Sequence, residues 1–255
     1  MVDLHHPDAP SPSTSNQEIG LADTAVDTPA ALLRLLATIV IALAIPILLV
    51  SSAVRSVTLN ESFYMREFER YGVGQVTGFS EAELSQVARI FISYFQGDPG
   101  RLDARVVRGT GTIAVFNERE IAHMVDVQVL IQRVFQAGWV ALALMIVATL
   151  AIVVPDPTTS LSALLRAAAI GGAVTASVVG LAAAGSLIDF NRLFLMFHFL
   201  SFSNDLWLLD PNRDRLIQLF PEGFFYDAAL QIGARSAGIG ALMAVTGFFG
   251  LRVVR

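Results

Sequence analysis

The chain has 255 residues, of which 54% are hydrophobic and 15% are charged, and its formal net charge is −5. Its mean hydropathy of +0.61 excludes an ordinary soluble domain and is typical of a helical membrane protein. The chain contains no cysteine, which excludes thiol catalysis, disulfides and thiolate metal sites. All 17 basic residues are arginine, which excludes lysine nucleophiles and Schiff-base chemistry.

The first 30 residues differ from the rest in composition. They contain five acidic residues and no basic residue, together with prolines, serines and threonines. Because such a segment lacks the apolar content to fold, we predict a disordered acidic tail over residues 1–30. A secretory signal peptide is not predicted: the basic n-region is missing, and the apolar stretch 32–54 is longer than the usual h-region of about 7 to 15 residues. This stretch is therefore interpreted as a retained membrane anchor.

Four stretches are long and apolar enough to cross a membrane. About 30 Å of hydrocarbon requires about 20 helical residues at about 1.5 Å per residue, and a helix also satisfies its backbone polar groups inside the lipid. The stretches are residues 32–54, 129–154, 161–187 and 226–251. The predicted fold class is therefore a mainly α membrane protein with four transmembrane helices.

An even number of spans places both termini on one side of the membrane and the loops 55–128 and 188–225 on the other. We predict that these two loops together form a small α/β domain outside the membrane. Arginines flank the spans on both sides, so the positive-inside rule does not decide the orientation. Small residues recur every four positions in the last two spans, which favours close helix packing. They are Gly172, Ala176, Gly180 and Ala184 in one span and Ala229, Gly233, Ala237 and Ala241 in the other.

The first loop contains two helix-capping patterns. Ser80 followed by Glu83 predicts a helix N-terminus, and apolar residues at helical spacing continue this helix to Gly97. Asn117 and Glu120 repeat the pattern. They predict a second helix that runs without a break into the second span.

A hairpin is predicted between these two helices. Residues 98–100 have the composition of a turn, and residues 102–107 and 112–116 have that of two short strands. Because an isolated hairpin is marginally stable, one of its faces needs cover from the preceding helix.

Two of the four histidines lie beside apolar spans and are the leading candidates for proton transfer near neutral pH. His5 and His6 fall in the polar tail, whereas His123 lies just before the second span. Asp126 follows three positions later, so its carboxylate can lie beside the imidazole on one helix face. Periodicity alone favours a structural role for His123, in packing or in a pair with Asp126.

The second loop strengthens the functional interpretation. Residues 193–202 are too few to span a membrane and too apolar to lie in water, which predicts an interfacial or partly re-entrant segment. His198 lies in its middle, and an ionisable group among aromatic rings is costly unless it is hydrogen-bonded. A satisfied structural histidine, bonded to Ser201 or Asn204, is the alternative. The neighbouring rings and polar groups are Phe194, Phe197, Phe199, Phe202, Asn204, Asp205 and Trp207.

Three segments together resemble the bacterial four-span integral membrane family that includes the lipoprotein intramolecular transacylase. They are EIAHMVDV at residues 120–127, the block FHFLSFSNDLW at 197–207, and the stretches DRLI and FPEGFF within 214–225. The resemblance extends from Leu32 to the C-terminus and leaves out the acidic tail.

The resemblance implies an enzyme that acts on the N-terminal diacylglyceryl cysteine of a bacterial lipoprotein. The enzyme would move the sn-2 acyl chain to the α-amino group and leave the lyso-form lipoprotein. His123 and His198 match the two histidines of the family. The implied location is the bacterial cytoplasmic membrane, with both termini in the cytoplasm and the site on the outer face. The expected partners are the lipoprotein and membrane lipid; we expect no cofactor and no nucleic acid.

The residues suit this chemistry independently of the resemblance. A neutral imidazole can remove a proton from an α-amine with a pKa of roughly 8, and an imidazolium can protonate the departing glycerol oxygen. Because the nucleophile and the ester belong to one substrate molecule, proximity supplies much of the rate and no acyl-enzyme is needed. Asn204 or a backbone N–H is expected to stabilise the oxyanion.

The hypothesis therefore gives each residue a role. Acid and base catalysis fall to His123 and His198, and supporting roles to Asp126, Asn204 and Asp205. Contacts with the acyl chains fall to the aromatic residues Phe194, Phe197, Phe199, Phe202 and Trp207.

Two other classes of protein remain open from the residues alone. A metal-dependent membrane hydrolase would use His123, His198, Asp126 and Asp205, but the chain has no local metal-binding spacing such as His-Glu-x-x-His. A non-enzymatic sensor or partner subunit would need neither histidine and would use the loop 55–128 as a binding surface.

Overall fold

The computed structural model describes residues 28–97, 102 and 104–254. Within these residues eight helices and two strands follow one another along the chain. They are α1 (Thr28–Thr58), α2 (Glu61–Arg70), α3 (Val73–Thr77), α4 (Glu81–Phe95), β1 (Arg105–Arg108), β2 (Gly111–Ala114), α5 (Glu118–Val153), α6 (Pro157–Ser201), α7 (Arg215–Leu219) and α8 (Glu222–Val253).

Four of these helices are long and apolar enough to cross a membrane, namely α1, α5, α6 and α8. This confirms the predicted fold class of a mainly α, four-span membrane protein. The predicted tail lies outside the described residues up to residue 27, and its last three residues, 28–30, begin α1. At the end of the bundle where α1 begins, Arg34 forms a 3.0 Å ion pair with Asp156 in the turn between α5 and α6.

The bundle packs closely where glycines let backbones approach. A Cβ atom on Gly172 of α6 would overlap the backbone carbonyl oxygen of Gly240 on α8, and one on Gly247 would overlap the backbone of Ala169. Small residues therefore bring α6 and α8 together. Gly172 of the predicted series lies in this contact, whereas a Cβ on Gly180 would meet nothing within 4 Å, and Gly240 and Gly247 are not in the predicted series. On the other side of α6, Ala37, Ile41 and Ile45 of α1 share a core with residues of α5 and α6.

The elements outside the bundle share a second core. It is built around aromatic rings of both loops: Phe91 of α4 lies 4.7 Å from Phe220, ring centroid to ring centroid, and Phe68 of α2 lies 5.6 Å from Phe220. Val106 of β1 and Leu219 of α7 are fully buried in the same cluster. The two loops thus form one small α/β domain.

The local predictions in the first loop agree with the structure. Ser80 and Glu83 form both bonds of a capping box at the start of α4, and Asn117 and Glu120 do the same for α5. The strands β1 and β2 pair antiparallel, shorter than predicted, with Arg108 opposite Gly111. The predicted turn at 98–100 lies outside the described residues. The helices α2 and α3 had no counterpart in the sequence analysis.

Two features of the long helices position the candidate site. Helix α5 continues without a break from Glu118 to Val153, so His123 lies on a rigid extension of the second span. Helix α6 has a break at Asp189, where the backbone is extended (φ −155°, ψ 83°). The Asp189 carboxylate accepts a 3.0 Å hydrogen bond from Arg192 N, which caps the helical segment that follows. That segment contains most of the predicted interfacial run 193–202.

Candidate active site

The two histidines singled out from the sequence lie next to each other. His123 on α5 and His198 near the end of α6 have ring centroids 6.3 Å apart, with ring planes inclined by 31°. His123 is 6% exposed and His198 is half-buried. Two residues from separate helices thus bring their imidazoles close together.

Aromatic rings surround the pair. The ring of Phe194 lies 4.4 Å from that of His198 and the ring of Trp207 lies 5.0 Å from it, on centroids. Phe202 contacts both imidazoles, at 5.1 Å from His123 and 5.7 Å from His198. Phe197 lies 5.4 Å from His198, whereas Phe199 packs on Trp207 at 5.1 Å. All five predicted aromatic residues therefore belong to one cluster.

His198 is oriented by its own helix. Its Nδ1 lies 2.7 Å from the carbonyl oxygen of Phe194, one turn earlier. Because a carbonyl can only accept a hydrogen bond, Nδ1 carries the hydrogen and a neutral ring has its lone pair on Nε2. The predicted alternative partners, Ser201 and Asn204, do not make this bond.

His123 has an open polar atom. Its Nδ1 is buried and has no hydrogen-bond partner among the described residues. Buried polar atoms are rarely left without a partner, and an exception calls for a water, an ion or a ligand. The predicted neighbour Asp126 binds a different residue, as described next.

Asp126 and Asn204 join the two histidine-bearing segments. Asn204 donates a 2.8 Å hydrogen bond from its amide to the Asp126 carboxylate, and its amide oxygen accepts from Leu206 N at 3.1 Å. Its backbone carbonyl also accepts a 2.9 Å bond from the Trp207 indole. Asn204 therefore holds the loop after α6 in a fixed shape against α5.

Asp205 lies at the solvent-exposed edge of this loop. Its side chain is 77% exposed and lies 3.8 Å from Arg119 of α5, which also donates to the Asp205 carbonyl. Among the described residues, no group of three or more histidine and acidic side chains is arranged to hold a metal ion. The donor set of the metal hydrolase alternative does not converge, since Asp126 binds Asn204 and Asp205 lies beside Arg119.

A buried polar network attaches the second loop to the start of α5. Glu120, 1% exposed, accepts a 2.6 Å bond from Leu216 N, and Asn117 donates a 2.9 Å bond to the fully buried Asp214. The N–H of Asp210, aimed at the carboxylate, lowers the pKa of Asp214, and hydrogen bonds from Arg213 and Asn117 act in the same direction. This network attaches the second loop to α5 at Glu120, three residues before His123.

Helix α4 supports α5 at the same level. The buried hydroxyl of Tyr94 donates a 3.0 Å bond to the carbonyl of Met124, the residue after His123. Burial raises the pKa of Tyr94 to about 12, so the hydroxyl keeps its proton and remains a donor. His123 is thus held from two sides, by α4 and by the second loop.

A cavity of about 280 Å³ opens beside the imidazoles. Both histidines line it, together with Phe194 and Trp207 of the predicted set. The sequence analysis missed two polar residues of its wall, Asn191 and Glu222. Asn191 is seven positions from His198 and therefore on its helix face, but its proximity to Glu222 depends on how α6 and α8 pack.

Comparison with known proteins places these features in a family. The family model for the lipoprotein intramolecular transacylase Lit matches residues 39–225, which is more than half of the chain and includes both histidines. A comparison with curated proteins found no match.

Solved structures with a similar fold include those of the membrane integral lipoprotein intramolecular transacylase Lit from Bacillus cereus. One matches with a TM-score of 0.69 at 20% identity, covering 88% of this chain and 96% of that one. A second, of a variant with a histidine replaced by arginine, matches with a TM-score of 0.69 at 19% identity, over 89% of this chain and 95% of that one. The structural likeness shows a shared fold. Taken with the family match, it shows that the chain belongs to the lipoprotein intramolecular transacylase family.

Proposed function

We propose that this protein transfers the sn-2 acyl chain of a diacylglyceryl-cysteine lipoprotein to the α-amino group of the same cysteine, giving the lyso-form lipoprotein. The observation that carries the proposal is the pair of imidazoles facing one aromatic cavity, in a chain of the transacylase family. The α-amine nitrogen attacks the ester carbonyl, the bond to the glycerol oxygen breaks, and that oxygen takes up a proton. The amine loses one proton in the same sequence, so the reaction has no net proton change.

His198 is the general base in this proposal. Its Nδ1 hydrogen is committed to the Phe194 carbonyl, which leaves Nε2 as the ring nitrogen able to accept the proton of the attacking amine. General base catalysis needs a nitrogen with a free lone pair within hydrogen-bond reach of the nucleophile.

His123 is the partner that gives a proton to the departing glycerol oxygen, and the proton that His198 took from the amine replaces it, so the pair returns to its starting state. Its buried Nδ1, without a partner among the described residues, can bind an oxygen of the substrate within the aromatic cluster. A ring separation of 6.3 Å leaves space for a reacting group between two imidazoles that do not bond to each other. Distinct hydrogen-bond states of the two rings thus support distinct roles.

Aromatic and aliphatic side chains hold the acyl chains. Phe194 and Trp207 line the cavity, and the surface next to it is apolar: Phe197, Phe199 and Leu200 expose 47%, 66% and 82% of their surface. An exposed apolar surface beside a site suits contact with lipid. Because ester and amine belong to one molecule, holding the chains in place supplies much of the rate.

Asp126, Asn204 and Asp205 are positioning residues in this proposal. The bonds of Asn204 to Asp126 and to the loop backbone support a role in shaping the site. Asn204 is exposed and does not line the cavity beside the histidines, so the oxyanion role goes to the alternative expected from the sequence, a backbone N–H.

The proposal also includes an orientation. The four candidate spans, and the ion pair of Arg34 with Asp156 where α1 begins, support a site at the opposite end of the bundle. Because the family resemblance implies a site on the outer face of the cytoplasmic membrane, we assign the site to that face and both termini to the cytoplasm.

Mass spectrometry of the N-terminal lipopeptide of a reporter lipoprotein tests the proposal. The reporter is produced in cells that lack any other N-acyltransferase, with the wild type, His123→Ala, His198→Ala, or Glu81→Gln, an exposed control carboxylate in the first turn of α4. We expect unchanged total mass with one acyl chain moved to nitrogen for the wild type and Glu81→Gln, and no transfer for the histidine variants. A diacyl form with every protein would favour the non-enzymatic alternative, and transfer by both histidine variants would overturn the assigned chemistry.

A further inference from the structure

The cavity beside the histidines contains a carboxylate for which the acyl-transfer chemistry has no use. Glu222, in the first turn of α8, accepts a 2.8 Å hydrogen bond from the amide of Asn191 on α6, and both residues line the cavity. Among the described residues that line it, Glu222 is the one acidic side chain; the remainder of the wall is largely phenylalanine, leucine and tryptophan.

The geometry places this carboxylate on the same wall as the base. Asn191, Phe194 and His198 are spaced by three and four positions and thus share one face of the last segment of α6. Phe225 follows Glu222 by three positions on α8, and its ring lies 5.0 Å from that of Phe194. The Phe194 ring in turn lies 4.4 Å from His198. Glu222 and His198 therefore flank one short aromatic wall.

A substrate of the proposed reaction brings a cation to this wall. An α-amine with a pKa of roughly 8 is mostly protonated at neutral pH. Moving an ammonium group from water into an apolar cavity is unfavourable unless an opposite charge compensates it. A carboxylate at the wall supplies this compensation, and Asn191 holds one of its oxygens in place.

We propose that Glu222, positioned by Asn191, binds the α-ammonium group of the incoming lipoprotein and makes the site selective for a free N-terminus. This inference rests on the proposed function. The ammonium group binds Glu222 on entry and gives up one proton to solvent. The neutral amine nitrogen then attacks the ester and passes a second proton to Nε2 of His198. Glu222 is a binding residue and does not act as the base.

The same contact distinguishes substrate from product. After transfer the nitrogen is an amide without charge, so the attraction to Glu222 is lost and the N-acylated product binds more weakly. A lipoprotein precursor, whose cysteine nitrogen is still in a peptide bond, is rejected for the same reason. The Glu222 carboxylate thus favours release of the N-acylated product and exclusion of the uncleaved precursor.

A purely structural role makes a different prediction. If the bond between Glu222 and Asn191 only ties α6 to α8, the charge is irrelevant, and glutamine at 222 preserves the function because its amide oxygen still accepts from Asn191. Glu222→Gln therefore removes the negative charge while it keeps the hydrogen bond to Asn191.

The test measures binding of two synthetic diacylglyceryl-cysteinyl pentapeptides in detergent, one with a free α-amine and one N-acetylated. His198→Asn is the background, so that the probes are not turned over. We expect the free amine to bind about tenfold more tightly or better, a ratio typical of one charge-assisted contact, and the ratio to fall to about one with added Glu222→Gln. Added Glu81→Gln is the matched control and leaves the ratio unchanged.

Kinetics provide a second readout in the wild-type background, where Glu222→Gln raises KM for the free-amine peptide more than it lowers kcat. An unchanged binding ratio in Glu222→Gln overturns the inference, even when transacylation proceeds. Conversely, a ratio that depends on Glu222 in a protein that leaves the reporter lipoprotein in its diacyl form supports amine binding and contradicts the acyl-transfer proposal. The two failures are therefore distinguishable.

Discussion

Asn204 donates a 2.8 Å hydrogen bond to Asp126, and this bond joins the loop that follows His198 to the helix that carries His123. The two imidazoles come from segments far apart in the chain, and their separation depends on how that loop docks on α5. A side chain that never touches the substrate can therefore set the distance between two reacting groups, and small displacements of such groups are costly.

Removal of either partner of this bond is expected to lower kcat with little change in KM. Asn204→Ala and Asp126→Ala should each reduce kcat about tenfold, because the loop loses its register on α5. Since both variants remove the same bond, the double variant should be no more than slightly worse than either single one. Lipopeptide mass spectrometry over time provides the rates; a double variant whose losses multiply would show that the residues act separately.

His198→Asn separates the orientation of the base from its reactivity. The asparagine amide nitrogen occupies the place of Nδ1 and can still donate to the Phe194 carbonyl, but nothing replaces Nε2. We expect a melting temperature close to that of the wild type and a loss of activity of about 10²- to 10⁴-fold, the usual contribution of a general base. Activity within about threefold of wild type would rule out Nε2 as the proton acceptor.

The buried network at the start of α5 is expected to contribute to stability. Glu120→Ala leaves the N–H groups of Asn117 and Leu216 without their acceptor and should cost about 1 to 3 kcal/mol, measured as a lower melting temperature in detergent. Glu81→Ala, which removes a carboxylate from the first turn of α4, is the control.

Asp214 makes the same network sensitive to acid. Since the folded state lowers the pKa of Asp214, its contribution to stability is complete above the ordinary aspartate value of about 4 and is lost as the pH falls through its folded pKa. Asp214→Asn should therefore melt below the wild type at about pH 6, with the difference shrinking towards about pH 3. A difference that stays constant over this interval would contradict the role of the charge.

Packing between α6 and α8 provides a matched pair of glycine substitutions. Gly172→Ala places a methyl group against the Gly240 carbonyl oxygen and the Ala244 backbone, so the helices must separate and the melting temperature should fall. Gly180→Ala meets nothing within 4 Å and should be neutral, or stabilising by up to about 1 kcal/mol through helix propensity. Equal effects of the two substitutions would show that contact with α8 is not the cause.

The long helices could be predicted because their signals are local. Hydropathy located all four spans, and the capping pairs at Ser80 and Asn117 marked the starts of α4 and α5 to the residue. The third predicted span ended at residue 187, close to the break at Asp189, but the helix resumes after the break and continues to Ser201. Asp189 caps this second segment through Arg192 N, and the sequence analysis had assigned the segment to a loop.

The candidate site was predictable only in part. His123 and His198 could be singled out as ionisable groups beside apolar segments, but sequence spacing favoured Asp126 as the neighbour of His123. The Asp126 carboxylate does act electrostatically on the His123 ring, but it accepts its hydrogen bond from Asn204 of the other loop. Glu222 and Asn191 meet through the packing of α6 on α8, which no local pattern encodes.

The bond from His198 to the Phe194 carbonyl limits which substitutions can change the tautomer of His198. In serine hydrolases a separate carboxylate orients the histidine, and a single substitution there leaves the ring in the wrong tautomer. Here the orienting atom is a backbone oxygen of the same helix, so no single side-chain substitution takes away the acceptor itself. The helix therefore fixes the tautomer of His198, and a substitution changes the tautomer only if it unwinds the last turns of α6.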